Sequence, residues 1–474
     1  MKGRWLPLVL VAVLISTLIT IVTSCGSKNA GAQGDLDAFR AALEKEGFIV
    51  QEGVLSSVDL IDLYNKGLID SCNANNANNP YLAYMLPTTP GQSLKEMATD
   101  APINPAHKDL WFVNRYRQDE TMIYVGKTPP SCDYFSFCFY LNKRFFPEEG
   151  IYKKIFASTG DTQNLLTIKT SGGDGNPFSQ NTMVITTADR GIDKRIRSAA
   201  KSAGYPASIM NTIVIPTEVV RMGLDDKADT FLMLMRTANF NDEESGKAFI
   251  DSPDAIVWRI TPAEQTQPDL YPTPTLWVRG TGTTEMGLMP ALNDLREAIL
   301  VKHGHLEATE LTTSIWLPEG YVAIQEVIDV LGETRDTAYL RTDSFKLKDD
   351  PNEFVIVYGV NHAATGKATY SNLGVYGVTA MNGIGGVSNH DLAGTAEEYL
   401  TGHPQAKYLY VWKVARHALG DPNIVEVPYG VKANGIDLDQ EGFIGWRAYL
   451  EPETKVGPIW HELVFDRGIK FSEP

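Results

Sequence analysis

The chain has 474 residues, with 42 Lys and Arg against 58 Asp and Glu, a formal net charge of −16, and 43% hydrophobic and 21% charged residues. That length and apolar content suffice for a large core or two lobes, and the charged share is ordinary for a globular protein. The acidic balance and the lack of any basic run argue against nucleic acid and anionic membrane faces as partners.

The chain opens with Lys2 and Arg4 ahead of the apolar run WLPLVLVAVLISTLITIV, and that run closes on Val22-Thr23-Ser24-Cys25. A basic segment followed by an apolar one predicts a secretory leader, residues 1–24, absent from the mature body. An uncleaved membrane helix is the alternative, but it has no need of small residues before a cysteine. The Val22–Cys25 junction resembles the lipobox of bacterial lipoproteins. The resemblance implies cleavage before Cys25, acylation of Cys25 and anchorage to a lipid bilayer outside the cytoplasm. Gly26 after the cysteine implies the outer membrane in a Gram-negative envelope. The resemblance covers only this leader and names no family for the mature body. Residues 25–34 are small and polar, as suits a flexible tether.

Beyond the tether, periodicity predicts helices over Leu36–Glu46 and Val58–Lys66. Strands are predicted over Trp111–Arg115, Met122–Val125, Tyr134–Leu141 and Thr182–Thr187. A helix follows over Asp193–Ala203, then strands over Ile213–Ile215, Thr230–Arg236 and Ala255–Ile260. The proline-rich QTQPDLYPTPT at Gln265–Thr275 reads as a linker, followed by helices over Leu288–Lys302 and Tyr321–Leu331. Strands dominate, so the fold class is α+β, with mostly antiparallel sheets and a few flanking helices.

The pattern occurs twice. ETMIYVGKTPPSCDYFSFCFY (Glu120–Tyr140) is echoed by EFVIVYGVNHAATGKATYSNLGVY (Glu353–Tyr376). KDLWFV at Lys108–Val113 is paired with RDTAYL at Arg335–Leu340, with KLKDDP (Lys346–Pro351) as an insertion in the second copy. TMVITTADR (Thr182–Arg190) matches YLYVWKVAR (Tyr408–Arg416), and NTIVIP (Asn211–Pro216) matches NIVEVP (Asn423–Pro428). The segments Gly223–Phe240 and Gly435–Leu450 place Arg236 opposite Arg447. The chain is therefore divided into a first repeat lobe over 35–264, a linker over 265–287 and a second lobe over 288–474. Whether the lobes share one sheet is left open.

Three cysteines follow the lipidated one. In an oxidising compartment Cys72 is expected to reach Cys132 or Cys138, leaving one thiol unpaired. Two constellations are candidates for chemistry. Cys132, with Asp133, and His362 lie on matching loops, so a pseudo-twofold axis can bring thiol and imidazole together as nucleophile and base. The plainer alternative is a core or bridged cysteine and a loop histidine. The second constellation is cationic: Arg190, Arg416, Arg236 and Arg447 end equivalent strands, with Lys127, Asn361 and Lys367 on the paired loops. Such groups suit a carboxylate or phosphate ligand, or pair with acids in their own lobe. No zinc spacing or EF-hand is present, and no metal or cofactor is assigned. The expected function is a membrane-anchored envelope lipoprotein binding a small anionic or carbohydrate ligand between its lobes. The alternatives are an extracytoplasmic hydrolase or acyl transferase built on the Cys/His pair, and a structural envelope protein.

Overall fold

The computed structural model describes residues 34–77, 80–92, 109–430 and 432–474, so the leader, Cys25 and most of the tether lie outside the described residues. The first half runs α1 (Leu36–Lys45), β1 (Phe48–Val58), α2 (Leu60–Asn65), β2 (Tyr81–Met85), β3 (Thr121–Lys127) and β4 (Cys132–Phe146). It continues with β5 (Ile151–Ser158), β6 (Gln163–Asn164), β7 (Asn181–Thr187), α3 (Arg190–Ser202), β8 (Met210–Val214), β9 (Thr230–Phe240), α4 (Glu243–Asp251) and β10 (Ala255–Pro262). The second half opens with α5 (Met289–Lys302), β11 (Glu307–Leu311), β12 (Thr313–Ile315), α6 (Gly320–Glu326), β13 (Thr337–Thr342) and β14 (Phe354–Val360). It closes with β15 (Tyr370–Gly377), β16 (Gly383–Ser388), α7 (Asn389–Leu392), β17 (Leu409–Ala415), β18 (Ile424–Glu426), β19 (Gly442–Tyr449) and β20 (Arg467–Ser472). The protein is α+β with largely antiparallel sheets, and the pairs β7–β8 and β17–β18 are parallel.

The two halves share one strand order. The first forms a single sheet, β5-β4-β9-β2-β1-β10-β3-β7-β8. In it β1 changes partner midway: Phe48–Gly53 pair with β10 and Val54–Val58 with β2. In the second half that strand is interrupted at Thr312, which bonds to Asp343 instead. The sheet accordingly separates into β11-β20-β14-β17-β18 and β12-β13-β19-β15-β16, in the same order as the two parts of the first. No named strand of one half pairs with a named strand of the other.

Each half has two apolar layers. One packs helices on the sheet: Phe39, Ile192 and Ile196 against Ile123 and Ile185, and Leu292, Leu295 and Ile299 against Ile356 and Ile469. The other lies inside the curl: Phe135, Phe137 and Phe139 with Tyr124, and Val355, Val357, Leu373 and Val375 with Trp412. Alternation along each strand sends successive side chains to these opposite faces.

The halves also exchange segments across a pseudo-twofold axis. From the second half, α6 and the turn after it place Ala323, Ile324 and Val330 in the first half's core. Leu60, Ile61 and Tyr64 of α2 pack in return with Ala380 and Ala433. The backbone bonds are reciprocal. Val330 N donates to Ile155 O and Gly332 N to Phe156 O, while Cys72 N donates to Ala380 O and Ala74 N to Met381 O. One patch meeting its own copy is the signature of an isologous contact, here within a single chain.

Several expectations need correction. Residues 58–59 extend β1 and cap α2 rather than starting a helix at Val58, and α6 ends at Glu326 rather than Leu331. Trp111–Arg115 forms isolated bridges from Trp111 and Asn114 rather than a strand. By sheet order the counterpart of β13 is β2, not Lys108–Val113. The longer connection to the next strand therefore lies in the first half, after Met85, and not at Lys346–Pro351. Cys72, Cys132 and Cys138 are all buried free thiols, so the expected bridge is not formed. Each sits in packed apolar surroundings, with Cys132 against the inner layer and Cys72 against Ala380 and Ala433.

Candidate functional site

One row of side chains crosses each half at equivalent positions. In the first, Val58 faces Tyr81, Tyr81 faces Arg236 and Arg236 faces Ser136. In the second, Trp316 donates its backbone N–H to Tyr339, Tyr339 faces Arg447 and Arg447 faces Asn372. Both arginines serve the junction of the halves. Arg236 donates to the carbonyl of Gly332, and Arg447 to that of Ala74 (2.8 Å), each acceptor lying seven residues before the row's tyrosine.

What surrounds the two rows differs. In the second half the Trp316 ring packs on Tyr376 and Phe443 with centroids 5.4 and 5.0 Å away, and Arg447 lies 5.5 Å over the indole. Gly445 makes room for it, because a Cβ there would come within 2.8 Å of the ring. The first half has Val58 in place of the indole and Leu234 in place of that glycine. Its β4–β5 hairpin is also longer, with strands of 15 and 8 residues against 8 and 6 for β15–β16. The result is a pocket of about 520 Å³. Leu232, Leu234 and Arg236 of β9 border it with Phe156, Val113 and Leu63. Lys143 and Lys154 on the hairpin, Leu68 and Asp70 after α2, and Leu331 from the other half also line it. Leu232, Leu234, Val113 and Phe156 are buried, whereas Leu68 is exposed, so β9 forms the inner wall and the end of α2 the rim.

The sequence-predicted residues disperse. The Cys132–His362 pair is not formed. Cys132 bonds to the Tyr134 carbonyl, and burial pushes its thiol up to about 12, so it is a protonated core thiol rather than a nucleophile. His362 has both ring nitrogens engaged elsewhere: Nδ1 lies 2.9 Å from each oxygen of Glu285, at the end of the linker, and Nε2 3.5 Å from Asp466. Burial acts to lower the His362 pKa, but Glu285 and the Asp466 hydrogen bond outweigh it and push it up to about 10. Asp133 does meet a histidine of the second half, His390 at 2.8 Å, together with Asn239.

The expected cationic cleft is not assembled either. Arg190 forms an exposed pair with Asp269, and Arg416 donates to the carbonyls of Val427, Pro428 and Ile436. Lys127 pairs with Asp254 at 2.8 Å, Asn361 donates to Asn389 O, and Lys367 is buried between Glu451 and Glu462 at 2.5 Å each. Of the seven, Arg236 and Arg447 reach the junction of the halves, and Arg236 borders the pocket. The sequence did not mark Val58, Lys143 or Lys154 as site residues, or Trp316 as a seal. Aligning β12 with the end of β1 would have set Trp316 against Val58. Among the described residues, no three His, Cys, Asp or Glu side chains converge to hold a metal ion, and no helix is long and apolar enough to cross a membrane.

No family model and no curated protein matches the chain. Two solved structures are similar at a TM-score of 0.37. One is an uncharacterized protein from Burkholderia cenocepacia, at 12% identity over 91% of this chain and 86% of the other. The second is the VPA0106 protein from Vibrio parahaemolyticus, at 10% identity over 87% of this chain and 94% of the other. At that score neither likeness carries an argument.

Proposed function

We propose that the mature protein is a lipid-anchored, extracytoplasmic binding protein whose ligand occupies the pocket bordered by Val58, Leu234 and Arg236. The observation that carries this reading is the difference between the two rows: an indole seals the second, and the first stands open around about 520 Å³. An open pocket leaves apolar side chains in contact with water, and apolar surface left unburied forfeits stability roughly in proportion to its area. A single tryptophan removes that loss in one lobe. Keeping the other open is reasonable for a site that is filled by something else. The volume falls within the roughly 300–1,000 Å³ usual for small-molecule sites, and the lining is mainly apolar with a few cationic groups. That lining favours an apolar ligand body over a carbohydrate. Anchorage rests on Lys2, Arg4, the apolar run and Val22–Cys25; replacing Cys25→Ser is expected to abolish incorporation of radiolabelled palmitate and to leave the leader uncleaved.

The pocket is tested with Nile red, a neutral apolar dye that fluoresces when shielded from water. The wild-type protein is expected to bind it at one site. Val58→Trp, which places an indole in this open space, is expected to abolish that binding while the protein stays folded. A dye signal indifferent to Val58→Trp overturns the reading.

A further inference from the structure

Arg236 is 7% exposed, and its guanidinium lies over the rings of Tyr81 and Tyr140 at 5.6 and 5.4 Å. Among the described residues it has no hydrogen-bond acceptor apart from the Gly332 carbonyl, its Nε is unpartnered, and no carboxylate lies within ion-pair distance. A guanidinium is always charged, and a buried charge without a counter-charge is costly. Glu333 lies near enough to feel Arg236, but its carboxylate is turned to Ser158, accepting from the Ser158 amide at 3.1 Å and hydroxyl at 2.6 Å. The equivalent Arg447 differs in having a second acceptor, the Tyr376 hydroxyl, and a sealed surrounding.

On the reading that this pocket is a ligand site, we propose that the ligand is a single-chain amphiphile with an anionic head group, a carboxylate or a phosphate monoester. The head sits on Arg236, and the chain runs along Leu232, Leu234, Phe156 and Leu63 toward Leu68 at the rim. Lys154 adds positive potential along the same wall. Lys154 is partly offset by Asp329 at 3.4 Å, and Asp70 sits exposed at the rim. A charge-assisted contact to a guanidinium is stronger than a neutral one, and apolar surface removed from water adds to affinity in proportion to chain length.

The test is competition against Nile red on the intact protein with four probes of equal chain length: decanoate, decyl phosphate, decanol and decyltrimethylammonium. Decanoate or decyl phosphate is expected to displace the dye at concentrations at least about tenfold below decanol, as a charge-assisted hydrogen bond implies. The cation is expected to be weakest. The preferred anion is expected to tighten about fourfold per added methylene. Arg236→Met is expected to bring the anion to the level of decanol, and Arg236→Lys to keep part of the preference. Equal displacement by decanol and both anions, or preference for the cation, overturns the anionic assignment while leaving the pocket as a site. The wild-type comparison decides this even if Arg236→Met fails to fold. Displacement by none of the four while Nile red still binds overturns the amphiphile. Absence of dye binding, or dye binding insensitive to Val58→Trp, overturns the pocket reading itself.

Discussion

The two lobes present the same strand order, the same tyrosine–arginine row and the same reciprocal bonds at their junction, yet one encloses a cavity and the other an indole. Because the backbone arrangement is shared, the row itself explains neither outcome. Arg236 and Arg447 both tie the halves together through carbonyls of the opposite half. An arginine at that position is thus no sign of a site. What separates the lobes is the lining: Val58 and Leu234 against Trp316 and Gly445, and a long hairpin against a short one. Duplication supplies its own control, since the second copy shows how the same space closes when an indole fills it.

The contrast extends to the ends of β3 and β14, and there the largest effect is expected. The first lobe carries Lys127 in an exposed pair with Asp254, whereas the second buries His362 between Glu285 and Asp466. Replacing His362→Gln leaves two buried carboxylates without their cation and is expected to cost about 3–5 kcal/mol in urea unfolding. Lys127→Ala is expected to cost less than about 1 kcal/mol, as for exposed pairs. The His362 pKa is raised from 6.5 to about 10, so its contribution is fully present below 6.5 and lost as pH rises through about 10. A loss of under about 1 kcal/mol for His362→Gln would mean that the buried cluster contributes little to the second lobe.

Next in size is Trp316→Val, which turns the second lobe toward the first. Removing a packed aromatic is expected to cost about 2–4 kcal/mol, somewhat less than a full truncation because Trp316 is only half-buried. The variant is also expected to bind Nile red at two sites instead of one, read as a doubled stoichiometry. Destabilisation without the second site would show that the long β4–β5 hairpin, and not the missing indole, makes the pocket.

The duplicated α+β organisation was legible because buried strands keep their apolar pattern and end at recognisable punctuation. Tyr134 and Tyr370, and Arg236 and Arg447, do occupy equivalent sheet positions. The site was not legible in the same way. Sequence alignment of the loops pointed to Cys132 and His362, but loops of equal rank need not converge. Cys132 instead bonds within its own strand, and His362 pairs with Glu285 of the linker and with Asp466. β1 escaped notice because its polar residues Gln51, Glu52, Ser56 and Ser57 mask its alternation. Without β1, Val58 and Trp316 cannot be set side by side. The exchange of α2 and α6 is a tertiary fact, since amphipathic spacing tells which face is buried and not in which lobe.

The smallest of the three contrasts between the lobes concerns the turns that cross the junction. Asn75 follows Ala74, and Glu333 follows Gly332, so the two occupy equivalent places. Asn75 accepts from Gly383 N at 2.9 Å, while Glu333 accepts from Ser158 N and Oγ. One side is neutral and the other holds a carboxyl that is 2% exposed. Burial raises the Glu333 pKa to about 7, against the Ser158 bonds and the charges of Arg279 and Arg236 that act to lower it. The folded state therefore holds this proton more tightly than the unfolded chain does. Its contribution is fully present below the ordinary value of 4.5 and is lost as pH rises through about 7. Glu333→Gln makes the two sides alike and removes that loss, because the amide oxygen still accepts from Ser158. The variant is expected to match the wild type at pH near 4 and to exceed it at pH near 8 by up to about 3 kcal/mol in urea unfolding, the equivalent of the shift in pKa. Equal stability at both pH values would place the ionised carboxylate at no cost in the junction, and would make Arg236 its counter-charge after all.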